Sequence, residues 1–199
     1  MTDFYISDLH FGHDNVIAYC GRPFATTEEM DEALIEAWNA TVGKQDRVFV
    51  VGDFSFRDGE ATDEILARLR GQKFLVKGNH DRSAVLEKTR RWAWVRDRHV
   101  HRPGDGDAIV LDHFPIMSWL GIHHGYYHLH GHCHGEMRYA PQYDNARILD
   151  VGVDATAKWT GSYRPVAWEE VKERLSGKGP VSVDGHRVRD HGTQIEAMD

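Results

Sequence analysis

The stretch Phe4-Tyr5-Ile6-Ser7-Asp8-Leu9-His10-Phe11-Gly12-His13 decides how the chain is read. Its apolar start, Phe4 to Ile6, predicts a buried strand. Asp8 and His10 follow at i and i+2, positions that project to the same side of an extended segment. A carboxylate and an imidazole therefore face one spot just past a strand's carboxyl end. Gly12 lets the chain turn, and His13-Asp14 leads into a short helix over 15–20 that Gly21-Arg22-Pro23 ends. Alone, Asp-x-His reads as a turn with a capping Asp and a surface His. The chain, however, repeats the arrangement four more times.

The apolar run 47–51 ends at Gly52-Asp53, and 73–76 leads to Gly78-Asn79-His80-Asp81. The run 108–111 leads to Asp112-His113, and 126–130 to Gly131-His132-Cys133-His134. Open α/β sheets bind ligands beyond the carboxyl ends of their strands. A structural protein has no reason to place Asp, His and Asn there so regularly. Gly52, Gly78 and Gly131 each immediately precede a candidate ligand, as a crowded site requires.

Between these ends the first half alternates strand and helix. Thr26 and Glu29 form a capping box, and Met30, Ala33, Leu34, Ala37 and Trp38 follow with helical spacing. A second amphipathic helix covers 62–70, with Gly71 as its stop. A third, short one covers 83–89. This order implies parallel strands with helical crossovers. The second half reads as strands 94–100 and 108–111 forming a hairpin around Pro103-Gly104-Asp105-Gly106-Asp107, then strands 126–130 and 148–151, and a last helix over 168–175. The expected fold is α/β: two mixed β-sheets packed as a sandwich and flanked by helices. One domain covers 1–175, and 176–199 is a polar tail or a small hairpin around Asp184-Gly185.

Composition narrows the class. An apolar fraction of 41% and a charged fraction of 28% are those of a soluble globular domain. No apolar run approaches the ~18 residues that would span a bilayer, so no membrane partner is expected. Cys20 and Cys133 give no disulfide framework, and no apolar signal segment precedes the first strand, which fits the cytoplasm. A net charge of -7 repels phosphates and argues against non-specific nucleic-acid binding. It leaves a nuclease open, because bound cations reverse the local field. Seven of the fourteen histidines lie between His113 and His134, a density that points to metal.

Taken together, Asp8-Leu9-His10, Gly52-Asp53, Gly78-Asn79-His80-Asp81, His113 and Gly131-His132-Cys133-His134 resemble the signature of the calcineurin-like metallophosphoesterases. Leu149-Asp150-Val151-Gly152-Val153-Asp154 and Tyr163-Arg164-Pro165 are similar to the ending of small bacterial and phage members. The resemblance implies two divalent transition-metal ions, Mn²⁺ first, with Fe, Zn²⁺, Co²⁺ or Ni²⁺ also suited to oxygen and imidazole ligands. Asp8, His10, Asp53 and His134 would hold one ion, and Asp53, Asn79, His113 and His132 the other. Asp53 would bridge cations ~3.5–4 Å apart that clamp a phosphoryl group, and a hydroxide bridging them would attack phosphorus in line with the leaving oxygen. His80 would serve the leaving group, with Asp81 orienting its ring.

His13 and Asn15 are candidates for substrate contact. Arg57 resembles a phosphate-binding Arg of the family's protein phosphatases, although Phe56 stands where an Asp normally precedes it. The implied function is a phosphodiesterase acting on a phosphoester, either a small molecule or a nucleic-acid end. A phosphomonoesterase acting on a nucleotide or phosphoprotein is the alternative. A non-catalytic scaffold would be expected to lose a ligand or the catalytic His, and none is lost here.

Overall fold

The computed structural model describes residues 1–188. β1 (Asp3–Ile6) is followed by α1 (Asp14–Cys20) and α2 (Thr27–Thr41), then β2 (Arg47–Val50), α3 (Gly59–Arg68) and β3 (Gln72–Val76). α4 (Ser83–Leu86) precedes β4 (Trp92–Arg96), β5 (His99–His101), β6 (Ile109–Leu111), β7 (Tyr127–His130) and β8 (Ile148–Asp150). α5 (Val153–Thr160), β9 (Val166–Ala167) and α6 (Trp168–Arg174) close the described chain.

Two mixed sheets result. The first has the order β4-β3-β2-β1-β9, parallel except for β9, which runs antiparallel to β1. The second has the order β5-β6-β7-β8, with only the β5–β6 pair antiparallel. Alternation along the strands divides their side chains. Phe4, Ile6, Val48 and Val50 pack against α2 and α3, while Tyr5, Phe49 and Val51 face Ile109, Leu111 and Leu129 of the second sheet. Trp38 of α2 is fully buried against the first sheet and donates Nε1–H to Arg70 O at 2.9 Å, so its indole leaves no polar atom orphaned. The outer face of the second sheet is covered by Trp119 and Val181 from loops and by Ile122 and Tyr143 from two short 3-10 helices. Among the described residues, no helix is long and apolar enough to cross a membrane.

Helix boundaries follow their caps. Thr26 Oγ1 accepts from Glu29 N at 3.1 Å, and the Glu29 carboxylate reaches back to Ala25 N at 2.8 Å. α3 begins three residues before its apolar periodicity, because Asp58 accepts from Ala61 N at 2.9 Å and starts the helix there.

Three expectations change. The single strand over 94–100 is two strands in two sheets. β4 stays parallel to β3, the chain leaves the sheet at Asp97-Arg98, and β5 pairs with β6. Trp94 and His99 both enter the inter-sheet core, with ring centroids 4.6 Å apart, so the apolar pattern runs unbroken across the jump. Second, α5 and β9 are elements that periodicity alone does not show, being short and half-buried. Third, residues 181–188 contain no strand. Val181 packs on the second sheet, and Asp184 accepts from Ser118 Oγ at 2.5 Å. The rest of the expected tail, 189–199, lies outside the described residues.

At their carboxyl ends the two sheets are joined. Ser7 donates to Val151 O and accepts from Val153 N, both at 3.0 Å, so the extension of β1 pairs with the extension of β8. The candidate ligands gather around this seam.

Candidate metal centre

Each candidate ligand stands in a loop just beyond a strand. Asp8 and His10 follow β1, Asp53 follows β2, Asn79 follows β3, His113 follows β6, and His132 and His134 follow β7. The loops bend sharply to aim these side chains. Among the described residues, five non-glycine positions have positive φ: Asp8 (57°), His10 (54°), Asp53 (54°), His132 (69°) and His134 (49°). All five are candidate ligands. Such backbone states cost about 1–3 kcal/mol each and persist only where the surroundings over-determine them.

Two glycines make the approach possible. A Cβ on Gly78 would lie 2.2 Å from Asp53 Oδ1 and 2.6 Å from Asp53 N. A Cβ on Gly131 would lie 2.0 Å from Ser7 Oγ and 2.6 Å from Asp8 Oδ2. The carboxylates occupy the space a side chain would take.

Asp8 is fully buried, and both its oxygens accept from His132 N, at 3.1 and 3.0 Å. Burial pushes its carboxyl up to about 7. His10 is 2% exposed, and neither of its ring nitrogens has a hydrogen-bond partner. Its Nε2 is 3.8 Å from Asp53 Oδ2 and 4.0 Å from Asp8 Oδ1, too far for hydrogen bonds. Burial drives this imidazole down to about 3, so it is neutral and offers a lone pair. A buried, orphaned imidazole between two carboxylates is costly in itself, and a cation relieves it.

On the other side, His113 Nδ1–H donates to Val51 O at 2.8 Å, which turns Nε2 inward. That Nε2 lies 3.4 Å from Asp53 Oδ2 and 3.0 Å from Asn79 Oδ1. His132 Nδ1 also lies 3.0 Å from Asn79 Oδ1. Burial works to lower His113, but the Asp53 carboxylate outweighs it and pushes the ring up to about 9, so a proton sits where the donor set suits a cation. Ligand atoms of Asp8, His10 and His134, and of Asp8, Asp53 and His113, lie within 4.8 Å of one another in each group. A further group, Cys20, His134 and Asp154, is less suited to an ion. Burial and Asp154 push the Cys20 thiol up to about 11, leaving little thiolate at neutral pH.

The residues proposed around the metals divide. His80 is exposed at the mouth, with its backbone N donating to Asp53 Oδ1 at 2.9 Å and its ring 5.7 Å from that of His10. His13 lies flat on Phe56, with ring centroids 3.9 Å apart, and Phe56 also contacts His80 at 4.8 Å. Phe56, standing in place of an Asp, thus forms an apolar floor for two imidazoles. Asp81 does not orient His80. Its Oδ2 accepts from Asp53 N and Gly78 N, both at 2.8 Å, and its Oδ1 from Phe54 N at 3.0 Å, so the carboxylate is spent on backbone. Arg57 is turned away from phosphate duty. Its Nε and Nη2 both donate to Asp31 Oδ2, at 2.9 and 2.6 Å. Asn15 is exposed on α1.

Two residues, Arg22 and Asp154, received no site role from the sequence. Arg22, assigned only to a turn, is buried and pairs with Asp154, which hydrogen-bonds His134 Nδ1 at 2.7 Å. A signal was present: β8 ends as the other strands do, with Gly152 and then a carboxylate at Asp154. His128 and His130 are fully buried, bonded to Val110 O and Tyr139 OH respectively, and belong to the core rather than to the ligand set.

A model of the calcineurin-like phosphoesterases matches residues 4–194. The chain belongs to that family. The Gene 66 protein of Mycobacterium phage D29 is 31% identical, the alignment covering 86% of this chain and 94% of the phage protein. An uncharacterized protein of Methanocaldococcus jannaschii is 28% identical, covering 89% of this chain and 93% of its own. In structure, a protein of unknown function from Aquifex aeolicus matches with a TM-score of 0.66 at 20% identity, over 87% of this chain and 98% of the other. That likeness concerns the fold of this calcineurin-like phosphoesterase.

Proposed function

We propose that the chain is a metal-dependent phosphodiesterase. The observation that carries this reading is the buried His10 with both ring nitrogens orphaned between Asp8 and Asp53, inside a cluster drawn from five strand ends. The donor set fits two divalent ions. Asp8, His10, Asp53 and His134 would hold one, and Asp53, Asn79, His113 and His132 the other. When bound, such cations supply positive charge for the phosphoryl oxygens and acidify water at neutral pH.

The chain's own residues do the rest. Asp53 Oδ2 faces both His10 and His113, and its backbone is immobilised by Asp81. His80, exposed beside His10, is placed to give a proton to the departing oxygen. Preference for a diester follows from charge. Arg57 is neutralised by Asp31 and Arg22 by Asp154, so neither is left to balance the second charge of a monoester dianion. A cleft of about 420 Å³, walled by Tyr19, Tyr163 and Lys158, opens beside His134 and gives room for a second ester arm.

The test compares bis-p-nitrophenyl phosphate with p-nitrophenyl phosphate in Mn²⁺, before and after chelation. Chelator-sensitive turnover with kcat/KM at least roughly tenfold higher on the diester is expected. Preference for the monoester would make the protein a phosphatase. No turnover with Mn²⁺, Fe²⁺, Zn²⁺, Co²⁺ or Ni²⁺ would leave a scaffold.

A further inference from the structure

The guanidinium of Arg22 makes five contacts in a buried pocket. Nε and Nη2 donate to Asp154 Oδ1 and Oδ2, each at 2.8 Å. Nη2 also donates to Asp8 O at 2.7 Å, and Nη1 to Leu9 O at 3.0 Å and Met30 Sδ at 3.3 Å. The two carbonyls belong to the turn in which Asp8 and His10 have positive φ. Asp154 in turn lies 2.7 Å from His134 Nδ1, and the His134 ring stacks on His10 at 5.2 Å. Because a carboxylate only accepts, Nδ1 of His134 carries a proton, which leaves Nε2 as the ring nitrogen that can ligate an ion.

A plain packing role explains this poorly. A buried ion pair is no more stabilising than apolar residues of the same shape. A fixed positive charge beside a cation site is also unfavourable unless it does something geometric. We propose that Arg22 and Asp154 act together as positioning residues for the metal centre: Arg22 holds the Asp8–Leu9 backbone and Asp154, and Asp154 sets the ring orientation and tautomer of His134. This rests on the metal-centre reading above.

Electrostatics and positioning predict opposite signs, which makes the inference testable. Removing the Arg22 charge should tighten cation binding if charge alone matters. It should weaken binding if the clamp builds the site. The experiment titrates chelator-stripped full-length protein with Mn²⁺ by calorimetry, in wild type, Arg22→Met, Arg22→Lys, Asp154→Asn and Arg68→Met. Arg68 pairs with Glu32 on the surface and serves as the control.

Arg22→Met and Asp154→Asn are expected to lose one ion or about 10–100-fold in affinity, the scale for partners of metal-bound histidine. Arg22→Lys should recover only part, since one ammonium cannot reproduce the bidentate fork. Arg68→Met should match wild type. ¹⁵N NMR of the stripped protein should show His134 protonated on Nδ1 in wild type and shifted toward Nε2 in Asp154→Asn, where the amide can donate to Nδ1. Two Mn²⁺ bound as tightly as, or tighter than, wild type in Arg22→Met and Asp154→Asn would overturn the inference. If Arg22→Met does not fold, Arg22→Lys decides: it keeps the charge and loses only the bidentate fork, so weaker Mn²⁺ binding there reports positioning and wild-type binding overturns the inference. Wild type that binds no Mn²⁺ would overturn the metal-centre reading, and this inference with it.

Discussion

Asp81 hands its carboxylate to the backbone that carries Asp53: Oδ2 accepts from Asp53 N at 2.8 Å and Oδ1 from Phe54 N at 3.0 Å. Asp53 sits at φ 54°, in the left-handed region that L-residues other than glycine enter only occasionally. Asp81 therefore fixes a carboxylate whose Oδ2 faces both His10 and His113.

Asp81→Ala should accordingly lower stability, by roughly 2–4 kcal/mol for orphaned backbone donors, and weaken Mn²⁺ binding along with it. Asp81→Asn should lose less, since the amide keeps one acceptor. Urea unfolding and metal titration read the two effects. Unchanged stability combined with a defect confined to poor leaving groups would return Asp81 to the role of orienting His80.

His80 should matter to chemistry more than to metal binding. His80→Ala should reduce kcat by roughly 10²–10⁴-fold on a nucleotide diester, whose alkoxide needs a proton, and less on a nitrophenyl ester. Metal content should stay near wild type, because Asn79 and the Asp53 contact from the backbone of residue 80 remain. Equal losses on both substrates would argue for charge stabilisation in place of proton donation.

Gly78→Ala should damage the site out of proportion to its effect on the fold. The added Cβ would meet Asp53 Oδ1 at 2.2 Å, which forces the carboxylate out of position. Gly179→Ala is the control, since its Cβ would meet only Asn145 Nδ2 at 3.9 Å. Mn²⁺ affinity should fall by about tenfold or more in the first and hold in the second. Wild-type affinity in Gly78→Ala would mean that the loop has slack that its packing does not display.

Acid should unfold the protein partly through His128. The ring is fully buried, with Nδ1–H donating to Val110 O at 3.0 Å and Nε2 accepting from Ile116 N at 3.2 Å. Burial, then the neighbouring His130, hold it down to about 3 against an ordinary value of 6.5. The unfolded chain therefore takes up a proton that the folded chain refuses. Stability from this group is complete above pH 6.5 and is lost as pH falls from 6.5 toward about 3. The slope is at most about 1.4 kcal/mol per pH unit for one proton. Denaturant melts of stripped protein across that window should show this slope in wild type and a shallower one in His128→Gln. Parallel slopes would assign the acid sensitivity to other groups.

The strand ends were legible in the chain because a ligand after an apolar run leaves a local mark. Asp8-x-His10, Gly52-Asp53, Gly78-Asn79-His80 and Gly131-His132-x-His134 each state the same thing within a few residues. Parallel pairing of β1, β2 and β3 was legible for a similar reason, since a helix between strands leaves few other topologies.

What only tertiary structure decided involves partners far apart in sequence. The jump between β4 and β5 is silent, because Trp94 and His99 fill the same inter-sheet core and keep the apolar pattern continuous. Asp81 is drawn to the backbone at 53–54 and not to the adjacent His80, because buried N–H groups there have no other acceptor. Arg57 goes to Asp31 once α2 is packed, a pairing 26 residues apart that no motif encodes. Arg22 and Asp154, 132 residues apart, meet only because the extensions of β1 and β8 join at Ser7 and Gly152. Periodicity and strand-end chemistry are local and survive in one dimension. The allocation of buried charges is settled by whichever partner the closed fold brings within hydrogen-bond distance.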